Sequence, residues 1–165
     1  MPALTTGVTA PDISLPTLDG SKFSLAAALK SGPVVLAFFK VSCPVCQMAF
    51  PFYERLHQAF GGKNVQVVGV SQDSSQDTAA FAKQFSITFP LALDDTKKFS
   101  VSNAYQLTNV PSLFLVNPDR KIAVSSVGWS RDDLQKISEK LSAASGVSKP
   151  VLVRDEDNVP AFKPG

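Results

Sequence analysis

The sequence is poor in the residues that build metal centres and disulfide frameworks. Only two cysteines and one histidine, His57, occur among its 165 residues. A structural zinc ion usually takes about four ligands, so we expect no metal and no organic cofactor. Two cysteines separated by only two residues cannot brace a fold of this size. Such a pair is more often catalytic or metal-binding than structural in a reducing compartment.

Long apolar runs and blocks of charge are also missing. No apolar stretch approaches the roughly 20 residues that a membrane-spanning helix needs. The net charge is +2 and no basic block occurs, so we expect neither nucleic acid nor a membrane as a partner. Residues 1–6 do not form a signal peptide. We therefore expect a cytoplasmic location, or a periplasmic one if an export signal has been removed.

The remaining composition is typical of one globular domain with a sizeable core. Hydrophobic residues make up 44% of the chain and charged residues 18%, and 165 residues bury enough surface to fold without staples. The composition changes at Gly146, after which Ser, Lys, Asp, Val and proline dominate. We predict one domain over residues 1–145 and an extended C-terminal tail over residues 146–165.

One C-x-x-C motif, formed by Cys43 and Cys46, follows directly on the apolar run Val34–Phe39. The helix predicted after it begins at Pro44. Because a helix N-terminus carries partial positive charge, it favours the thiolate form of a cysteine placed there. We expect Cys43 to face solvent as the attacking nucleophile. Cys46, one turn into the helix, would be the buried resolving thiol.

Two neighbours are predicted to tune the reactivity of Cys43. Lys40 lies three residues before it, and an ammonium group at that place would favour a thiolate; an ordinary solvated lysine is the alternative. Pro44 has no N–H to offer the sulfur and fixes φ at the start of the helix.

Apolar runs alternate with helical periodicities along the chain. The pattern predicts an extended N-terminal segment with a turn at residues 18–21. It also predicts strands at 34–39, 65–70, 89–93, 112–116 and 121–127, and helices at 44–60, 76–85, 96–105 and 131–143. This order favours an α/β fold with a mixed sheet and helices on both faces.

Three other conspicuous side chains receive structural interpretations. Asp73 follows a predicted strand at the edge where sites of α/β sheets gather, but a solvated loop carboxylate is the preferred interpretation. Trp129 is expected to cover the core rather than to bind substrate. His57 is expected at the surface, about 16 Å along the helix from Cys46, which is too far for a catalytic base.

Several motifs together resemble one known group of proteins. They are Ala10-Pro11-Asp12, Asp19-Gly20, the aromatic stretch and C-x-x-C at 38–46, Pro51, Gly69-Val70-Ser71-Gln72-Asp73 and Val110-Pro111. The pattern, over about residues 7–141, resembles the thioredoxin-fold redoxins of the TlpA/ResA-like and AhpC/TSA (peroxiredoxin-like) superfamily. The resemblance implies a thioredoxin-like three-layer α/β/α sandwich, with a mixed central sheet and an N-terminal β extension.

The resemblance also implies a substrate-binding surface. In that superfamily the proline matching Pro111 follows a cis peptide bond and faces the C-x-x-C motif. Val110 would then offer its backbone to an extended substrate strand. Ser42 stands where tryptophan is usual, and we group it with the residues that tune Cys43. The implied partners are protein or small-molecule disulfides and thiols, with a thioredoxin-type protein as one source of electrons.

The sequence departs from the superfamily at residues that handle protons and peroxide. Thioredoxins have a buried Asp at the position of Ala37, and ResA-like proteins have a Glu at that of Ala49. The peroxiredoxin pattern P-x-x-x-T-x-x-C would need Pro at Leu36 and Thr at Lys40. We therefore predict a thiol-disulfide oxidoreductase enzyme. The alternatives are an antioxidant thiol peroxidase with Cys43 as its peroxidatic residue, and a redox-sensing binding module.

Overall fold

Strands and helices alternate along most of the chain in this computed structural model, which describes residues 3–165. Their order is β1 (Ser14–Pro16), β2 (Lys22–Ser24), α1 (Leu25–Leu29), β3 (Val34–Phe39), α2 (Pro44–Phe60), β4 (Gln66–Ser71), α3 (Ser75–Gln84), β5 (Leu91–Leu93), α4 (Ser100–Ala104), β6 (Ser112–Val116), β7 (Ile122–Val127), β8 (Trp129–Ser130), α5 (Arg131–Ser145), a 3-10 helix (Asp155–Asp157) and β9 (Phe162–Lys163). This order confirms the predicted α/β class.

Five strands form a mixed central sheet in the order β5-β4-β3-β6-β7. The middle strand, β3, pairs in parallel with β4 and antiparallel with β6. All six residues of β3 are buried, because helices or chain segments cover both faces of the sheet. A strand in that position needs apolar side chains on both sides, which explains the uninterrupted apolar run before the cysteines.

Aromatic side chains of β3 anchor one core on each face of the sheet. Phe39 points toward α2 and α3, with ring centroids 4.3 Å from Phe50 and 4.9 Å from Phe81. Phe38, the next residue along the strand, points to the opposite face and lies 5.1 Å from Tyr105. Burying each such side chain contributes about 1.5–3 kcal/mol. The start of α2 is thus fixed by cores on both faces.

The short strands β1 and β2 form a separate two-stranded sheet, the N-terminal β extension that the resemblance implies. Its turn is held by Asp19, whose carboxylate accepts hydrogen bonds from Ser21 and Thr17. These bonds lower the pKa of Asp19 to about 2. A charged carboxylate therefore holds the turn at neutral pH.

The helix predicted at residues 96–105 is shorter than expected, because α4 begins only at Ser100. Phe99, directly before it, has a left-handed backbone with φ of 49°. The Asp95 carboxylate accepts hydrogen bonds from the backbone N–H groups of Lys97 and Lys98, at 2.8 and 3.2 Å. These bonds hold a turn in place of the first helical residues.

No helix within residues 3–165 has the length and apolar character that crossing a membrane requires.

Candidate active site

The two cysteines differ sharply in exposure although they are three residues apart. Both are free thiols. Cys43 is the N-cap of α2 and half-buried, whereas Cys46 is fully buried in the first turn. The backbone N–H of Cys46 donates a hydrogen bond to the Cys43 sulfur at 3.2 Å. A substrate arriving from solvent can therefore reach Cys43 but not Cys46.

Burial keeps Cys46 in its protonated form. It raises the pKa of the Cys46 thiol far above the ordinary cysteine value, and the hydrogen bond with Cys43 acts in the same direction. A backbone contact with Lys40 opposes the shift but does not cancel it. Cys46 is therefore a neutral thiol at physiological pH.

The loop at Val110 and Pro111 lies directly against the exposed thiol. The bond between these residues is cis, and the Cys43 thiol donates to the Val110 carbonyl oxygen at 3.5 Å. Two hydrogen bonds hold the loop, from the Ser112 hydroxyl to the Asn109 carbonyl at 2.7 Å and from the Gly128 N–H to the Pro111 carbonyl at 2.8 Å. The structure thus brings Cys43 together with Val110 and Pro111, as the resemblance implied, and their role in binding substrate stays a prediction.

The three residues predicted to tune Cys43 lie at the protein surface, within three positions of it along the chain. Lys40, Ser42 and Pro44 are all exposed. Pro44 occupies the first helical position, as expected, and the Lys40 carbonyl accepts a hydrogen bond from the Cys43 N–H at 3.3 Å. Their influence on the thiol stays a prediction.

Two side chains whose role was not predicted hold the loop before Cys43. The Asp73 carboxylate accepts a hydrogen bond from the Val41 N–H at 2.8 Å, and the Gln47 side chain donates to the Val41 carbonyl at 2.9 Å. The interpretation of Asp73 as a solvated loop carboxylate is therefore wrong. The available signal was its place just after β4, whose carboxyl end meets that of β3 in a parallel pair.

Trp129 and His57 take structural places. Trp129 is fully buried, packs 5.1 Å from Phe52 between ring centroids, and donates from Nε1 to the Pro160 carbonyl at 2.7 Å. It covers the core, as predicted. His57 is half-buried rather than exposed, with its ring centroid 5.9 Å from that of Phe89.

The chemistry of the site rests on sulfur and backbone groups. Within residues 3–165, no cluster of three or more His, Cys, Asp or Glu side chains is placed to hold a metal ion. What the site offers is an accessible thiol, a buried thiol one helical turn away, and a backbone carbonyl within hydrogen-bond distance of the accessible sulfur. That combination is suited to forming and breaking sulfur–sulfur bonds.

Comparison with known families adds to this geometry. The model of the AhpC/TSA family matches residues 6–125. The match includes both cysteines and the Val110–Pro111 bond. The chain belongs to the AhpC/TSA family.

The relatives and solved structures similar to this chain include proteins named thiol-disulfide oxidoreductases and a protein named a peroxidoxin. Over 133 residues the chain is 29% identical to the thiol-disulfide oxidoreductase ResA of Bacillus subtilis, covering 80% of this chain and 73% of that one. The thioredoxin domain of a thiol-disulfide oxidoreductase from Bacteroides vulgatus superposes with a TM-score of 0.74 at 27% identity, covering 84% and 98% of the two chains. Peroxidoxin BcpB from Mycobacterium tuberculosis superposes with a TM-score of 0.72 at 26% identity, covering 85% and 97%. These likenesses confirm the thioredoxin-like fold.

Proposed function

We propose that this AhpC/TSA-family protein is a thiol-disulfide oxidoreductase in which Cys43 attacks and Cys46 resolves. The observation that carries the proposal is the pairing of a half-exposed sulfur at a helix N-terminus with a buried, protonated thiol one turn behind it. The similarity to ResA and to the Bacteroides oxidoreductase domain supports the same activity.

The first step forms a mixed disulfide on Cys43. Its thiolate attacks one sulfur of a substrate disulfide, R–S–S–R′, so that a Cys43–S–R bond forms and the substrate S–S bond breaks. The leaving group R′–S⁻ takes a proton from water and departs as R′–SH. The Cys46 N–H that points at the Cys43 sulfur stabilises the attacking thiolate.

The second step releases the product and oxidises the protein. Cys46 attacks the Cys43 sulfur, the bond to S–R breaks, and the Cys46 proton leaves with R–SH. Two electrons have then passed from the protein dithiol to the substrate, and a Cys43–Cys46 disulfide remains. A thioredoxin-type dithiol protein would return the two electrons by the same exchange.

The residues near Cys43 would not take part in the sulfur exchange themselves; they would position the substrate or shape the surface beside the thiol. Val110 and Pro111 would form the substrate face, because the Val110 carbonyl lies at hydrogen-bond distance from Cys43. Lys40, Ser42 and Pro44 are exposed and are close to Cys43 along the chain.

A thiol peroxidase is the second candidate, favoured by the similarity to peroxidoxin BcpB. Peroxide would oxidise Cys43 to a sulfenic acid with release of water. Cys46 would then condense with it to a disulfide and release a second water. The residues at the two pattern positions do not support this reaction. Leu36 is fully buried within β3, and Lys40 stands where a hydroxyl would be needed.

A competition between oxidants tests the proposal. Reduced protein is mixed with hydrogen peroxide and, separately, with oxidised glutathione or insulin, and thiol loss is followed. We expect faster thiol loss with at least one of the disulfides than with peroxide, and none above background for Cys43→Ser. Rapid loss with peroxide alone would establish the peroxidase instead. Slow loss with every oxidant would indicate the redox-sensing module.

A further inference from the structure

The C-terminal segment, defined here as residues 159–165, reaches the same backbone group as the active thiol. The Val110 carbonyl oxygen contacts the Cys43 thiol on one side, and Gly165 lies against it on another. The approach is so close that a Cβ atom on Gly165 would overlap that oxygen. The Asn109 side chain donates to the Gly165 carbonyl at 3.1 Å and so holds the residue there.

A strand pairing fixes the C-terminal segment beside this loop. β9 pairs antiparallel with β8, with Trp129 opposite Lys163. The Arg131 N–H donates to the Ala161 carbonyl at 2.9 Å, and the Trp129 indole N–H to the Pro160 carbonyl at 2.7 Å. The segment is thus attached by strand pairing, as a bound peptide would be, and by one hydrogen bond from a side chain.

A second attachment lies just before the C-terminal segment, on the active-site helix. The Arg55 guanidinium donates two hydrogen bonds to the Asp157 carboxylate, at 2.7 and 2.8 Å, and one to the Leu152 carbonyl at 2.8 Å. Bidentate pairs of this kind fix orientation as well as distance. The chain is therefore directed across α2 toward β8 and Val110.

The space beside Val110 is where an extended substrate would have to lie in order to pair with that backbone. Gly165 already fills part of it, while Cys43 keeps part of its surface exposed. We propose that the C-terminal segment occupies the position of a substrate strand, so that Cys43 acts directly on small disulfides and on extended protein segments only after the segment has moved. This inference rests on the proposed function and names the substrate class of the same site.

The test uses the full chain with Lys163→Pro, because proline removes the N–H of β9 and disrupts strand pairing. Lys163→Ala is the matched control, since it keeps the backbone N–H. Initial rates are measured with oxidised glutathione and with insulin. We expect Lys163→Pro to raise the insulin rate about tenfold or more, because minor open states are commonly populated at about 0.1–10%. The glutathione rate should stay within about twofold, and Lys163→Ala should change neither rate.

A second variant and a second readout guard against a folding defect in Lys163→Pro. Gly165→Val keeps the strand pairing but places a side chain where the Val110 carbonyl lies, so it should raise the insulin rate in the same direction. Trp129 is the only tryptophan, and its fluorescence should shift to longer wavelength in Lys163→Pro as its contact with Pro160 loosens.

The outcomes separate the two proposals. A wild-type protein that reduces neither disulfide overturns the proposed function. A wild type that reduces glutathione, together with an unchanged insulin-to-glutathione ratio in both variants, overturns the inference about the C-terminal segment alone.

Discussion

The two terminal segments of the chain are attached by the same device but differ in how deeply they are buried. At the N-terminal side, the Tyr105 hydroxyl donates to the Pro11 carbonyl at 2.6 Å. At the C-terminal side, the Trp129 indole N–H donates to the Pro160 carbonyl at 2.7 Å. Both aromatic side chains are fully buried. In each case a buried aromatic donor holds a proline carbonyl of the segment.

The two segments differ in how many of their residues are buried and in which part of the molecule they contact. Within residues 3–13, Ala3, Ala10 and Ile13 are buried, whereas within residues 146–165 only Leu152 is. The N-terminal residues pack into the core on the face of Phe38. Both cysteines lie on the opposite face of the sheet. The C-terminal residues lie over α2 and end at Val110. The first segment is a part of the core, whereas the second adds only Leu152 to the core and otherwise lies over its surface.

The largest expected difference is in stability. Ile13 is fully buried, so Ile13→Ala should lower the free energy of unfolding by about 2–5 kcal/mol. Val151 is 69% exposed, and Val151→Ala should stay within about 0.5 kcal/mol of wild type. Urea unfolding of both variants measures the difference. Equal losses would contradict this difference in burial between the two segments.

An intermediate effect should separate the two aromatic donors. Tyr105→Phe leaves the Pro11 carbonyl without its partner and should cost about 1–3 kcal/mol of stability, with no change in the ratio of insulin to glutathione rates. Trp129→Phe should cost a comparable amount and also raise that ratio, because Pro160 is released. Urea unfolding and paired rate measurements on each variant provide the check. If Tyr105→Phe raised the ratio of insulin to glutathione rates, the conclusion that only the C-terminal segment limits access to Cys43 would be wrong.

How much of this could be predicted from the sequence depends on how local each feature is. The apolar run Val34–Phe39 and the helix start at Pro44 are encoded by neighbouring residues, and both were predicted. The contact of Cys43 with Val110 spans 67 positions and was accessible only through family resemblance. The place of Asp73 after a predicted strand marked the edge of the sheet, but its contact with Val41 depends on the parallel register that places Phe39 beside Ser71, which the sequence does not show.

The path of residues 146–165 could not be predicted for a different reason. Their sequence has no helical or strand periodicity, so their course depends on groups that the core presents to them. Those groups are Arg55 in α2 and Trp129 in β8, neither of which carries a recognisable motif. The shortened α4 is similar, since nothing in the sequence marks Phe99 for a left-handed backbone.

The smallest expected effect concerns pH. Hydrogen bonds from Arg55 and from the Arg154 backbone hold the pKa of Asp157 well below its usual range. A depressed carboxylate pKa stabilises the folded arrangement above the unfolded value of about 4, and the stabilisation is lost as pH falls toward the native value. Trp129 emission should therefore stay constant from neutral pH down to about pH 4 and shift to longer wavelength below it. Asp157→Asn should show part of that shift already at pH 7. Identical pH titrations of the variant and the wild type would show that the Arg55–Asp157 ion pair does not hold the segment near Trp129.

Trapping of the mixed disulfide tests the central claim most directly. Reduced Cys46→Ser protein is incubated with oxidised glutathione at neutral pH, and intact mass and peptide mapping locate the adduct. We predict one glutathione on Cys43 that persists, because the resolving thiol is absent, and no comparable adduct on Cys46 in the Cys43→Ser protein. An adduct that forms equally fast on Cys46, or none on Cys43, would contradict the assignment of the attacking and resolving thiols.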